Sequence, residues 1–305
     1  SGACRAGDGL CIPWRWCSLT VRPESVSGYL RGKQNMRLRL RPALLTFLCS
    51  VACAVPATAA ELSLEKSDSG IRVLVDGDLF TEFLFSSGTK PIPIAAMGPT
   101  GQAMTRAAPL EKVEGERFDH PHHRSLWMTH GDVNGIDFWS ETSKRQGRIV
   151  QRELVSADAD GDTATIVTTN DWIGPDGERV CEDTRHVTFS ADENTRTIDF
   201  DVTITAIADE VVFGDTKEGS FGIRVPTEMD VDRGGGGRIV NSEGQTDKAA
   251  WGKPAAWVDY HGPVDGETLG IAILNHPSSF RFPTYWHVRT YGLFAANPFG
   301  LHDFL

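Results

Sequence analysis

Between Phe118 and Trp139 the chain reads FDHPHHRSLWMTHGDVNGIDFW, and His120, His122, His123 and His130, four of its nine histidines, fall within it. Asp119, Arg124, Asp132, Asp137, Trp127 and Trp139 are interleaved with them. A lone histidine is usually structural. Here the polar groups are too many for a core strand and the aromatics too many for a solvated loop. A long loop whose histidines merely cap strand ends is the plainer alternative. Large aromatics beside convergent polar groups make a wall that stacks on a sugar ring and hydrogen-bonds its hydroxyls, a role open to Trp127, Asp132 and Trp139.

Two chemistries fit the cluster. In the first, the imidazoles of His122, His123 and His130 exchange protons near neutral pH, Arg124 holds a developing oxyanion, and no cofactor is required. In the second, an extended His120-Pro121-His122 puts two imidazoles on one face, and His130 or Asp132 completes a site for one divalent metal. Pro121 between the first two ligands, and the lack of a matched downstream pair, make that spacing weakly diagnostic.

A second constellation, VVFGDTKEGSFGIRVP, packs Asp215, Lys217 and Glu218 between Gly214 and Gly219. Such glycines let a backbone approach a ligand or turn tightly, and a Glu whose acidity is tuned by a neighbouring Lys suits a general base. A solvated hairpin tip explains the same residues equally well. A third lies in ILNHPSSFRFPTYWHVRTYGLFAANPFG, where His276, Arg281, Tyr285, Trp286, His287 and Arg289 gather. His287 and Arg289 alternate on one strand face and so point into one cavity, leaving Trp286 and Val288 for the core.

The elements that must position these groups are strands. IRVLVDGDLFTEFLF alternates around Asp76-Gly77, which supplies the positive φ of a two-residue hairpin. TATIVTTNDW, ERVCEDTRHVTFS and TRTIDFDVTITAI follow, separated by turn residues, with Ile198, Phe200, Val202 and Ile204 on one face of the last. Further strands are predicted at 147–156, 221–225, 268–275 and 286–290. No amphipathic helix of ten or more residues is found. Gly234–Gly237 reads as a loop, so residues 61–305 form a single domain, all-β, a large antiparallel β-sandwich.

Upstream, MRLRLRPALLTFLCSVACAVPATAA (36–60) has the basic start, short apolar run and small-residue end of a secretory signal peptide, and residues 1–35 read as upstream sequence translated from an early start. The apolar run is shorter than the ~20 residues that span a bilayer. Without residues 1–60 the charge moves from −11 to −17, because eight basic and two acidic side chains are lost. Such a surface disfavours nucleic acid and anionic lipid, and it favours neutral or cationic partners: a carbohydrate or other small neutral ligand, with no stable membrane insertion. Cys181 alone would remain, a buried apolar residue in an alternating strand. The expected location is the periplasm or the medium.

HPHHRSLWMTHGDVNGIDFW, GDTKEGSFGIRV and WHVRTYGLFAANPFG resemble the secreted bacterial family labelled methane oxygenase PmoA-like, over essentially all of residues 62–305. The methane monooxygenase subunit of that name is an integral membrane protein, and this chain has no span beyond its signal, so the resemblance does not imply methane oxidation. Members continue past Leu305, which implies a C-terminally truncated frame. More distantly, the strand succession and HVTFS…TIDFDVTITA resemble galactose mutarotase-like proteins. That resemblance implies a supersandwich fold with sugar on a concave sheet, His122, His123 and Arg124 as the sugar-binding and acid group, Glu218 as base and His287 as a further contact. An epimerase, lyase or hydrolase acting on sugar is the expectation. A non-catalytic glycan-binding module and a metal-dependent oxygenase or hydrolase are the alternatives.

Overall fold

The computed structural model describes residues 2–5, 12–22 and 60–302; all of the signal-like segment but Ala60, and Leu305, lie outside these. Along the chain run β1 (Gly2–Arg5), β2 (Ile12–Arg22), β3 (Leu62–Lys66), β4 (Gly70–Val75), β5 (Asp78–Ser87), β6 (Lys90–Ile94) and β7 (Leu126–His130). Four long or medium strands follow, β8 (Arg148–Asp160), β9 (Thr163–Ile173), β10 (Arg179–Ala191) and β11 (Arg196–Ala206). Then come β12 (Glu210–Phe213), β13 (Gly219–Arg224), β14 (Arg238–Asn241), β15 (Trp257–Val264), β16 (Glu267–Asn275), β17 (Tyr285–Val288) and β18 (Leu293–Asn297). Every strand pairing is antiparallel, and among the described residues the only helical pieces are short 3-10 turns.

The expected strands are all present. Asp76 and Gly77 hold φ of 52° and 88°, the turn that joins β4 to β5. Ile198, Phe200, Val202 and Ile204 are each at most 1% exposed on β11. Burying four such side chains contributes about 6–12 kcal/mol before chain entropy is charged against it. Cys181 is buried, as its strand position requires.

Eight strands form the largest sheet, in the order β14-β15-β16-β2-β11-β10-β9-β8. Two four-stranded sheets, β3-β4-β5-β6 and β17-β18-β13-β7, pack on one face of it. Phe80 of β5 meets Phe189 of β10 edge-on at 5.9 Å, and Phe221 of β13 lies 5.1 Å from Phe200 of β11. The main core fills this interlayer, and a smaller cluster of Ile92, Trp127, Trp139, Leu293 and Ala295 lies on the far side of the second sheet.

β2 occupies a place of its own, paired with β11 on one side and β16 on the other, while β1 pairs with β12. By sequence these residues are expected to lie in a segment upstream of the working domain. In a chain lacking residues 1–60, β11 and β16 would each present an unpaired edge there, and such edges recruit another strand or another molecule.

Candidate functional site

Strand parity decides which face of the β17-β18-β13-β7 sheet each side chain takes. Leu126, Met128, Phe221, Ile223, Trp286, Val288 and Phe294 belong to the main core. Trp127 and Ala295 belong to the smaller cluster on the opposite face, and His287, between Trp286 and Val288, points the same way. Gly222 faces Trp127 across the pair, where a Cβ would come within 2.6 Å of the indole. A cavity of ≈ 350 Å³ opens on this outer face. His120, His122, His123, Asp137 and Trp139 line one side of it, and Lys217, Glu218, His287, Arg289 and Tyr291 line the other.

The histidine loop is held from beneath by two arginines, each 1% exposed, Arg106 and Arg224. Both donate to Oδ1 of Asp119, at 2.6 and 2.8 Å. Arg106 also donates to the carbonyls of His120 and His123, at 3.1 and 3.2 Å. Burial pushes the Asp119 carboxyl up, but Arg224, His120 and Arg106 together hold it below the usual range. His120 takes a φ of 45°, an uncommon value for a side chain of its size. Its ring then stacks between Tyr291 (5.3 Å) and His123 (4.9 Å), and His123 stacks in turn on Trp127 at 5.2 Å. A second clasp lies behind His122. Arg124 grips Glu141 with two hydrogen bonds of 2.8 and 2.6 Å, and buried Lys90 joins Glu141 to the His122 carbonyl. Burial brings the Lys90 ammonium down to about 8.

Hydrogen bonds fix which ring nitrogen is engaged in two imidazoles of the cavity. Arg224 Nη1 lies 3.2 Å from His123 Nδ1. A guanidinium only donates, so Nδ1 accepts and the neutral ring carries its proton on Nε2. Burial, then the charges of His122 and Arg224, drive the His123 imidazolium well below its ordinary range, so that ring is neutral at pH 7. His287 is the opposite case: its Nδ1 donates to the Lys217 carbonyl at 2.7 Å, which leaves the lone pair of the neutral ring on Nε2. Glu218 Oε2 stands 4.0 Å from His287 Nδ1, and Glu218 is paired with Lys217 at 3.1 Å. His122 is pulled down to about 4 by burial and by Lys90, so it too is neutral at pH 7.

The cavity brings together His122, His123, Trp139, Lys217, Glu218, His287 and Arg289 from three separate stretches of sequence. Four expected residues lie elsewhere. His130 alternates with Met128 and Leu126 on the inner face, donates through Nε2 to the Gly214 carbonyl at 2.8 Å, and packs on Phe213 and Phe299. Burial brings it to about 4, and it ties β7 to the 214–219 segment. Arg124 is spent on Glu141, so the guanidiniums facing the histidines and the cavity are Arg224 and Arg289. Asp132 closes a turn by accepting from the Gly135 N–H at 2.9 Å. Trp127 is wholly buried behind His123. The alternative metal trio is therefore split, His120 and His122 standing 5.9 Å apart on one face and His130 on the other. Among the described residues no group of three or more His, Cys, Asp or Glu is arranged to hold a metal ion.

Sequence reasoning missed Arg106, Arg224, Lys90 and Tyr291. Tyr291 lies, like Arg289, in the turn between β17 and β18, where strand alternation gives no signal. Arg224 and Lys90 sit in the runs GSFGIR and KPIPI, in which a charge has no solvent face to occupy.

A family model described as a family of unknown function (DUF6807) matches residues 70–304, a span that contains every residue lining the cavity. No curated protein and no solved structure matches the chain. Among the described residues no helix is long and apolar enough to cross a membrane.

Proposed function

We propose, for a chain that belongs to the DUF6807 family of unknown function, acid/base chemistry on a sugar in the cavity between the histidine loop and the 287–291 segment. The observation that carries this reading is a pair of imidazoles on one cavity with opposite nitrogens engaged: His123 accepts at Nδ1 and so offers its Nε2–H, while His287 donates from Nδ1, so that its neutral ring would carry the lone pair on Nε2. His287 takes a proton from the sugar, and the Glu218 carboxylate 4.0 Å from Nδ1 steadies the imidazolium that results. His123, too weak a base to be protonated, polarises a ring or carbonyl oxygen through its N–H. Trp139 and Tyr291 supply walls on which a pyranose face rests. Epimerisation, elimination and glycoside hydrolysis all need such an acid and base across a ring.

The layering of two four-stranded sheets on an eight-stranded one supports a mutarotase-like sandwich, and the signal-peptide-like pattern of residues 36–60 supports a secreted or periplasmic location. Fold likeness alone does not assign chemistry, so the reading rests on the site. Incubating the protein with a panel of mono- and oligosaccharides, followed by proton NMR, tests it. New sugar signals that are absent with His123→Ala or Glu218→Ala are the expected result. Saturation transfer to a sugar that never changes would instead mark a glycan-binding module, and neither signal with any sugar would end the carbohydrate reading.

A further inference from the structure

The cavity gathers hydrogen-bond donors that have no acceptor among the described residues. Trp139 is 2% exposed and lines the cavity, yet its indole N–H finds no acceptor. Such a buried orphan costs about 1–3 kcal/mol unless something supplies the acceptor. His123 adds the Nε2–H fixed by Arg224. Arg289 adds most. Its guanidinium carbon lies 5.4 Å from the Trp251 ring centroid and 5.7 Å from the Tyr291 ring centroid, cation–π contacts that supply no oxygen acceptor for its five N–H donors. Among the described residues no carboxylate or carbonyl lies within hydrogen-bonding or salt-bridge distance of its guanidinium.

The acceptors nearby are already engaged. Glu218 is paired with Lys217, and Asp137 Oδ1 takes the backbone N–H groups of Trp139 and Ser140, both at 2.9 Å. Every other arginine of the site has its carboxylate: Arg106 and Arg224 share Asp119, and Arg124 has Glu141. One guanidinium, oriented by two aromatic rings and aimed into a donor-rich cavity, remains for an anion. A chain with this excess of acidic residues would otherwise repel one, so the complement has to be local.

We propose that the sugar taken by this cavity is an acidic one, a uronic acid whose carboxylate is held by Arg289. This rests on the carbohydrate reading and narrows its substrate class. A planar carboxylate matches the guanidinium edge with two parallel hydrogen bonds, while the pyranose lies against the aromatic walls. Abstraction of the proton next to that carboxylate by His287 is eased by the same arginine, because the negative charge developing on the carboxyl group falls on its N–H donors.

Calorimetric titration with D-galacturonate and D-glucuronate tests the proposal, set against their methyl esters, the neutral parents D-galactose and D-glucose, and D-glucose 6-sulfate. The acids are expected to bind at least about tenfold tighter than their esters, as charge-assisted bidentate contacts do. Arg289→Gln is expected to abolish the preference and Arg289→Lys to retain part of it. The ester comparison uses the unmodified protein and so does not depend on either variant folding. Equal binding of acids, esters and neutral parents would overturn the proposal and leave the carbohydrate reading standing. Preference for the sulfate would overturn the uronic assignment, and no binding of any sugar would overturn both.

Discussion

A His287→Ala variant that keeps its fold by circular dichroism is expected to turn over its sugar about 10²–10⁴ times more slowly than the parent, the usual contribution of a positioned proton-transfer group. The expectation follows from geometry. The Lys217 carbonyl locks Nδ1 as the donor, which places the lone pair of the neutral ring on Nε2, and flanking Trp286 and Val288, each at most 1% exposed, hold the strand in register. Binding of the same sugar should weaken only a few-fold, because the walls and the other donors remain. Single-turnover rates and binding constants measured on both proteins separate the two effects. A variant with full turnover would remove His287 from the chemistry, and one that lost binding and rate in proportion would make it a simple contact.

The second large effect is expected at Asp119, where a single carboxylate oxygen serves two buried guanidiniums. Asp119→Asn leaves Arg106 and Arg224 facing one another with only an amide oxygen between them. Removing one partner of a buried pair typically costs about 3–5 kcal/mol; since this carboxylate is partly solvated, about 2–3 kcal/mol is the appropriate figure. For a domain of this size that lowers the melting temperature by roughly 4–12 °C. The stacked rings Tyr291, His120, His123 and Trp127 should loosen with it, since Arg106 anchors two of the loop's carbonyls and Arg224 sets the His123 tautomer. Thermal unfolding by calorimetry measures the loss. A shift under 2 °C would mean that solvent or relaxation replaces the carboxylate.

The fold was legible wherever period-two patterning ran long enough. The strands 163–173, 179–191 and 196–206 alternate over ten residues or more, and their buried faces follow from the letters alone. The Asp76-Gly77 turn was equally plain. In the site, alternation places His287; Arg289, expected on the same strand face, lies in the turn after β17 and reaches the cavity from there, and the alternation rule explains why His130 fails. Within LWMTH it shares parity with Leu126 and Met128, so it was always bound for the core while Trp127 took the other face. Arg124 and Arg224 could not be separated by composition. One is absorbed by Glu141, seventeen residues away, and the other is drawn to Asp119 across 105 residues; only the folded loop shows which reaches the histidines. The pairing of β2 with β11 and β16 is not expected from the sequence, because residues 12–22 alternate only in two short pieces, Ile12 to Trp16 and Leu19 to Arg22, out of phase with each other across the register shift that the strand shows there.

The account stands on His123 and His287 addressing one sugar from opposite tautomers. A crystal structure of the protein with the tightest-binding sugar of the panel tests that most directly. The predicted result is a pyranose in the cavity with one oxygen about 3 Å from His123 Nε2 and the reacting carbon within reach of His287 Nε2. A sugar seated elsewhere on the protein, or one that reaches the aromatic walls while touching neither imidazole, would contradict it.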